Sequence, residues 1–125
     1  MVAKAPTDQR PPTEEVVRNY YTNINQGDFK ASWNMLSDNF RTNRKAHPKG
    51  YDSYVDWWGR QIQRVEINQI KPLQATGETA TVDAQLTYSL NGGKSSPADV
   101  RFYLVWDDTS GKWVVKDAQR VRRGS

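Results

Sequence analysis

Cysteine is absent from this sequence of 125 residues, and histidine occurs once, at His47. Without cysteine the chain cannot form disulfides, use a thiol nucleophile or bind a metal through thiolates, and a lone histidine argues against a zinc site. No glycine-rich phosphate loop precedes a helix, and no serine lies in a nucleophile elbow. We therefore predict no catalytic residue, no metal site and no cofactor.

Long hydrophobic runs are also missing. No apolar run approaches the ~20 residues that a membrane-spanning helix needs, and the N-terminus lacks the apolar centre of a signal peptide. The sequence as given is expected to be soluble and to have no membrane span. Its compartment stays undetermined: it could be cytoplasmic or the soluble part of a larger anchored protein.

The charge is positive, with a formal value of +4 and a sequence pI near 9.4. Part of the excess is a basic C-terminal tail, formed by Lys116, Arg120, Arg122 and Arg123. Because no nucleic-acid recognition motif accompanies this charge, we predict a solvated face and no specific nucleic acid partner. Binding of an anionic partner through the basic surface is the weaker alternative.

Aromatic residues are plentiful, with five Trp, six Tyr and three Phe, and they can supply the core of one domain. Residues 1–12 contain three of the six prolines and no apolar period, which predicts a flexible leader or linker. We predict a single domain over residues 13–122. Residues 123–125 are interpreted as a tail, and they resemble a vector scar.

Helical spacing dominates the first half of the chain. The first helix is predicted to begin with Thr13 as its capping residue and to end before Gly27, and Asp28 is predicted to cap a second helix ending near residues 37–39. A basic loop over residues 41–50 and a third helix over residues 51–60 follow. The apolar set of the first helix is Val16, Val17, Tyr20, Tyr21 and Ile24.

The second half of the chain has a period of two residues. A first strand around Val65 and Ile67 should end or contain a bulge near Asn68, and strands are predicted over residues 79–90, 99–106 and 112–121. Turns rich in glycine and aspartate separate the last three, which predicts an antiparallel meander whose apolar face is covered by the helices.

The opening VVRNYYTNINQGDFKASWNMLSDNF, followed by YDSYVDWW and strands ending in a W-V-V segment, resembles the nuclear transport factor 2-like superfamily, and its small bacterial domains in particular. The resemblance implies an α+β cone: three N-terminal helices packed on a strongly curved antiparallel sheet of four or more strands, with a pocket at the wide end. Members include isomerases, dehydratases and epoxide hydrolases as well as non-enzymatic domains, some of them fused to bacterial serine/threonine kinases, so fold alone does not select a function.

If such a pocket exists, aromatic residues on the apolar faces of the helices and strands are its candidates. They are Tyr20, Tyr21, Trp33, Tyr54, Trp58, Tyr88, Phe102 and Trp106. The strand residues that face inward offer apolar side chains and a tyrosine, which predicts binding rather than turnover. His47 could close over the pocket as a general base, but no nearby carboxylate in the sequence would orient it, which favours a surface loop position.

Tyr103 and Val105 are apolar residues on the predicted outer face of a central strand. Many relatives dimerise through this face, so we predict a homodimer with these residues in its interface. The leading functional hypothesis is a non-catalytic ligand- or protein-binding accessory domain, with a small apolar ligand, in a larger bacterial signalling or envelope protein. The alternative is a small-molecule isomerase, dehydratase or hydrolase with a tyrosine-lined pocket.

Overall fold

The structure is a computed structural model, and it describes residues 11–121. The predicted tail at residues 123–125, and all of the predicted leader except Pro11 and Pro12, lie outside the described residues. Four short helices come first: α1 (Thr13–Asn25), α2 (Phe29–Trp33), α3 (Asp38–Arg41) and α4 (Tyr51–Asp56). A π-helical turn (Trp57–Gln61) leads into β1 (Ile62–Ala75), which is followed by β2 (Thr79–Leu90), β3 (Ser95–Asp107) and β4 (Lys112–Arg120).

Helix α1 has the apolar stripe that its sequence predicts. The residues of that stripe are all buried, and they are Val16, Val17, Tyr20, Tyr21 and Ile24. The predicted cap is wrong in detail: Thr13 is the first helical residue, Pro12 precedes it, and no side chain caps the helix. Proline suits this place because the first amides of a helix have no partner within the helix. At the other end Gly27 has a φ of 80°, as predicted for the residue that stops the helix.

The predicted second helix is divided into two. Asp28 caps α2 as predicted, because its carboxylate accepts a hydrogen bond from the Ala31 amide at 3.2 Å. The helix then ends at Trp33, because the backbone beyond it pairs with β4: the Val115 amide donates to the Met35 carbonyl and the Ser37 amide donates to the Val115 carbonyl, both at 2.8 Å. The Ser37 hydroxyl accepts a hydrogen bond from the Phe40 amide and so begins α3 as a separate helix.

The third predicted helix changes its geometry part of the way along. It is α-helical over Tyr51–Asp56 and π-helical over Trp57–Gln61. The wider turn leaves Trp58 buried at 9% exposure while Trp57 is 42% exposed. Gly59 lies in this turn, where a Cβ atom would be 3.2 Å from the Phe29 ring. The turn thus directs one of two adjacent tryptophans into the core.

The four strands form one antiparallel meander in the order β1-β2-β3-β4, as predicted. The predicted bulge is present, since the register of β1 against β2 shifts between Ile67 and Gln69, but the strand continues to Ala75. The turn between β2 and β3 contains Gly92 and Gly93, both with positive φ. β3 is longer than predicted because it begins at Ser95.

The helices cover one face of the curved sheet, which does not close into a barrel, so the predicted α+β cone is confirmed. Buried side chains from α1, α4 and the inward faces of β2, β3 and β4 form one core. Asn25 joins the layers: its amide group donates to the Val65 carbonyl and accepts from the Val65 amide, both at 2.8 Å. Within residues 11–121, no helix is both long and apolar enough to cross a bilayer.

Candidate functional site

An aromatic cavity of about 230 Å³ lies between the helices and the sheet. Helices α1 and α4, the loop before α4 and strands β2, β3 and β4 all contribute to its wall. The polar and titratable side chains of the wall include Tyr20, Tyr21, His47, Tyr54, Tyr88 and Arg120. Apolar and aromatic groups fill in the rest of the wall, among them Phe40, Trp57, Trp58, Val100, Phe102 and Ala118.

The ring walls are built from edge-to-face contacts. The Tyr21 ring lies 5.8 Å from the Phe102 ring and 6.1 Å from the Trp58 ring, both nearly perpendicular. Trp58 in turn contacts the Tyr88 ring at 5.9 Å. Such geometry places the positive edge of one ring on the negative face of another, which fixes the side chains and keeps the cavity shape defined.

A chain of three hydroxyls runs through the helical side of the cavity. The Ser32 hydroxyl donates to the Phe29 carbonyl at 3.0 Å, so it accepts from the Tyr54 hydroxyl at 2.7 Å. Tyr54 has then used its only proton, and it accepts from the Tyr20 hydroxyl at 3.0 Å. All three protons are consumed within the chain. Toward a ligand, these hydroxyls can therefore only accept hydrogen bonds.

A second group of hydroxyls lies on the sheet side of the cavity. The Arg120 guanidinium lies over the Tyr88 ring at 5.6 Å, and both side chains line the cavity together with Tyr21. Each of the two tyrosine hydroxyls has one proton that it can donate. Arginine is a donor only. The sheet side is consequently rich in donors and carries a positive charge.

The tyrosine hydroxyls remain protonated at neutral pH. Burial raises the pKa of Tyr20 and of Tyr21 well above the ordinary value, and it raises the pKa of Tyr54 to about 12. Burial also raises the pKa of Tyr88, although the Arg120 charge acts in the opposite direction. These phenols are therefore neutral hydrogen-bonding groups and cannot act as bases near pH 7.

His47 is buried, at 7% exposure, so the expectation of a surface loop residue is wrong. Its ring packs 4.9 Å from the Trp33 ring, 5.1 Å from the Phe40 ring and 5.8 Å from the Tyr54 ring. Its Nδ1 atom lies 2.9 Å from the Phe40 carbonyl oxygen and must carry a proton, because a carbonyl only accepts.

The protonation of His47 follows from this environment. Burial lowers its pKa, and the hydrogen bond to Phe40 opposes part of that effect. In the neutral ring Nδ1 is the donor, so Nε2 is an acceptor. His47 thus adds a hydrogen-bond acceptor and a titratable group to the cavity. The inward-facing strand residues had suggested only apolar side chains and a tyrosine there.

A basic groove of about 540 Å³ lies on the other side of His47. Its walls combine the Trp33 and His47 rings with Arg41, Arg44 and Lys49. Arg41 forms an ion pair with Asp38, and Arg44 donates to the Pro48 carbonyl at 3.2 Å. The loop over residues 41–50 is thus folded over aromatic rings, and His47 forms part of both the groove and the aromatic cavity.

The structure brings six of the eight candidate pocket residues to the aromatic cavity, namely Tyr20, Tyr21, Tyr54, Trp58, Tyr88 and Phe102. Trp33 lies behind His47 and lines the basic groove instead. Trp106 is wrongly included in the set: it packs against Trp113 at 5.4 Å and lines a separate groove. It is four residues beyond Phe102, roughly 13 Å further along the strand.

Sequence analysis considered His47 for the cavity but favoured a surface loop position, and it missed Arg120 as a cavity residue. Arg120 belongs to the last strand rather than to a basic tail. The outer-face candidates Tyr103 and Val105 are half-buried, and Val105 is opposite Val114 in the register. Beside them Arg101 holds the Asp83 carboxylate through two hydrogen bonds of 2.8 and 3.1 Å. Within the described range, residues 11–121, no three His, Asp or Glu side chains cluster closely enough to hold a metal ion.

Comparison with known proteins identifies one family and several solved structures with this fold. A family model described as the SnoaL-like domain matches residues 13–119. Serine/threonine-protein kinase PknA of Nostoc sp. is 49% identical over 110 residues, which cover 88% of this chain and 20% of the kinase. The chain therefore spans about a fifth of the length of this relative.

Solved structures with the same fold are distant in sequence. A proposed aromatic ring hydroxylase from Novosphingobium aromaticivorans is 10% identical with a TM-score of 0.66, over 98% of this chain and 94% of that protein. A SEC-C motif containing protein from Rhodopseudomonas palustris is 14% identical with a TM-score of 0.61, over 85% and 76% of the two chains. Aln2 from a Streptomyces species is 17% identical with a TM-score of 0.57, over 91% and 94%.

At these identities the solved structures show the fold alone. The family follows from the model match, which covers all four strands except the final residue of β4. The helical hairpin, the bent meander and the cavity between them agree with that match. This chain belongs to the SnoaL-like domain family, within the nuclear transport factor 2-like superfamily.

Proposed function

We propose that this chain is a ligand-binding accessory domain of a longer bacterial protein, and that its aromatic cavity holds a small aromatic molecule without converting it. The observation that carries the proposal is the cavity itself, whose wall contains edge-to-face rings and hydroxyls fixed in a hydrogen-bonded chain. Concave, mostly apolar sites with a few fixed polar groups are the usual form of small-molecule sites.

The cavity volume limits the size of the ligand. At about 230 Å³ it lies below the range of ~300–1,000 Å³ that is typical of sites for drug-sized molecules. One ring with one or two substituents is therefore a better match than a steroid or a nucleotide.

Binding is favoured over turnover by the chemistry of the wall. Among the described residues, those that line the cavity include no Asp or Glu, and the lining tyrosines are protonated at neutral pH. General acid–base catalysis needs a group whose pKa is near the working pH and which reaches the reacting atom.

The accessory role is supported by the kinase relative, in which the matching segment accounts for 20% of the length. A domain of this kind in a signalling protein would report the presence of a ligand to the domains beside it. The compartment follows from the parent protein, and both the cytoplasm and the soluble part of an anchored protein agree with the proposal.

The test is a titration of the chain with phenol and with indole, with binding measured by isothermal calorimetry. Tryptophan fluorescence gives a second measurement, because Trp57 and Trp58 line the cavity. The matched variants are Ala118→Phe, which places a ring in the cavity, and Gln119→Phe, which adds the same ring at an exposed position of the same strand. We expect saturable binding to the native chain and to Gln119→Phe but not to Ala118→Phe. Absence of binding of either probe, or binding that Ala118→Phe leaves unchanged, would contradict the proposal.

A second candidate function is turnover of a small substrate, and the specific observation that favours it is His47. Its Nε2 atom is an unprotonated acceptor at neutral pH, in a ring that lines the cavity. Screening a small carbonyl and epoxide panel with native chain, His47→Gln and Tyr20→Phe distinguishes the two functions. Saturable activity that His47→Gln abolishes would replace the binding role with a catalytic one.

A further inference from the structure

The helical side and the sheet side of the aromatic cavity differ in their hydrogen-bonding groups, and this difference specifies the chemistry of the ligand. On the helical side, the Tyr20–Tyr54–Ser32 chain has consumed all its protons, because it ends on the Phe29 carbonyl. The neutral His47 ring donates from Nδ1 to the Phe40 carbonyl and keeps only an acceptor at Nε2. A ligand group that meets this side must therefore donate a hydrogen bond.

The sheet side makes the opposite demand. Arg120 offers only donors and a full positive charge, and the Tyr21 and Tyr88 hydroxyls beside it can each donate one hydrogen bond. A carboxylate satisfies both groups, since it accepts several hydrogen bonds and pairs with a guanidinium. A neutral acceptor such as a carbonyl would satisfy the tyrosines but would leave the Arg120 charge unused.

Between the two sides the wall is aromatic, and it includes the Phe102, Trp58 and Tyr21 rings. The cavity volume of about 230 Å³ accommodates a single ring with its substituents.

We infer that the ligand is a monocyclic aromatic acid with a hydroxyl group, bound with its hydroxyl toward Tyr20 and His47 and its carboxylate toward Tyr88 and Arg120. The inference rests on the proposed binding function and gives it a chemical class. A carboxylate placed at the helical side would meet only lone pairs, so the ligand has one permitted orientation.

The first experiment uses the native chain and calorimetric titration with four probes: 4-hydroxybenzoate, benzoate, phenol and 4-methoxybenzoate. Benzoate lacks the donor, phenol lacks the carboxylate, and 4-methoxybenzoate keeps the oxygen but has no proton to donate. We expect 4-hydroxybenzoate to bind about tenfold more tightly than each of the others. Benzoate and 4-methoxybenzoate leave the acceptors of the helical side without a donor, and phenol loses the charge-assisted hydrogen bonds to Arg120.

Two variants test whether the sheet side donates hydrogen bonds to the ligand and whether the helical side accepts them. Arg120→Gln changes an exposed residue. We expect it to weaken the binding of 4-hydroxybenzoate and to leave the binding of phenol unchanged. Tyr54→Phe removes the acceptor of the Tyr20 proton, so Tyr20 becomes a donor. We expect this variant to lose its preference for 4-hydroxybenzoate over 4-formylbenzoate, whose aldehyde only accepts, a reversal that simple loss of stability would not produce.

The outcomes separate the inference from the function on which it rests. If benzoate and phenol bind as tightly as 4-hydroxybenzoate, and Ala118→Phe blocks all of them, the cavity binds aromatic molecules but the inferred class is wrong. If none of the probes binds, both the inference and the proposed function are wrong. Because the probe series uses the native chain, it decides the question even if the Tyr54→Phe variant does not fold.

Discussion

At the scale of single residues, the Tyr54 hydroxyl links the internal hydrogen bonds of the helical layer. Replacement by phenylalanine removes the partner of Ser32, which is fully buried, and of Tyr20. We expect Tyr54→Phe to lower the free energy of unfolding by about 1–3 kcal/mol, the usual cost of an unpaired buried polar group. Urea unfolding measures it, with Tyr51→Phe at a half-buried position as the matched control. If Tyr54→Phe lowers the free energy of unfolding by no more than the control does, the hydrogen bonds among these hydroxyls contribute no stability.

His47 predicts a dependence of stability on pH. Burial lowers its pKa in the folded state below the ordinary value of 6.5, so the folded protein binds fewer protons than the unfolded chain as the pH falls. The contribution of His47 is therefore fully present above about pH 6.5 and is lost as the pH falls through the folded pKa. We expect the urea midpoint to decrease between pH 7 and pH 5, and His47→Phe to flatten that decrease. If the urea midpoint of His47→Phe decreases with pH as steeply as that of the native chain, other titratable groups cause the decrease.

His47, which sequence analysis assigned to a surface loop, and Arg120, which it assigned to a basic tail, show where residue-level prediction fails. The loop over residues 41–50 has no apolar period, and His47 is buried only because rings from the helices on either side of the loop meet around it. Arg120 is shifted in phase by a bulge: Leu104 pairs with Val115 and Tyr103 pairs with Asp117, so Lys116 is an extra residue. Strict alternation from Val115 would place Arg120 on the outer face.

At the scale of elements, Asn25 joins the end of α1 to the start of the sheet. Its side chain pairs with both backbone groups of Val65, as a neighbouring strand would. We expect Asn25→Ala to destabilise the domain by about 1–2 kcal/mol, because two hydrogen bonds are lost. Asn39→Ala is the control, since it removes an exposed asparagine from a helix that does not join the sheet in this way. Equal midpoints in urea for the two variants would contradict the role of Asn25.

Elements with a long, regular pattern were predictable, and those fixed by tertiary pairing were not. α1 and β2 have apolar residues at strict spacing, so both were located to within a residue. The second helix has a helical pattern through Leu36, yet Leu36 forms a parallel bridge to Val115. Two backbone hydrogen bonds to a strand about 80 residues away outcompete local helix propensity there, and no local pattern encodes that partner.

At the scale of the whole molecule, the outer face of the sheet is the remaining apolar surface. Tyr103, Val105 and Val114 are half-buried on that face, and Leu73 at its edge is 42% exposed. We expect a homodimer through this face, dissociated by Tyr103→Glu because the carboxylate would be buried in the interface. Asn39→Glu, at an exposed position on α3 and not on the sheet, is the control. Sedimentation equilibrium decides the matter: a native monomer at high micromolar concentration, or a Tyr103→Glu dimer, would contradict the prediction.

The Trp113 indole N–H donates to the Pro11 carbonyl at 3.1 Å, which holds the incoming chain at the beginning of β4. The outgoing chain leaves the other end of the same strand at Val121, next to Arg120 on the cavity wall. With ~3.3 Å per residue, these two points are roughly 26 Å apart. A reporter fused beyond Val121 would thus begin one residue from the cavity wall, whereas one fused before Pro11 would begin at the far end of the strand. A biosensor built from this fold would read occupancy at its C-terminal junction and could be tethered by its N-terminal one.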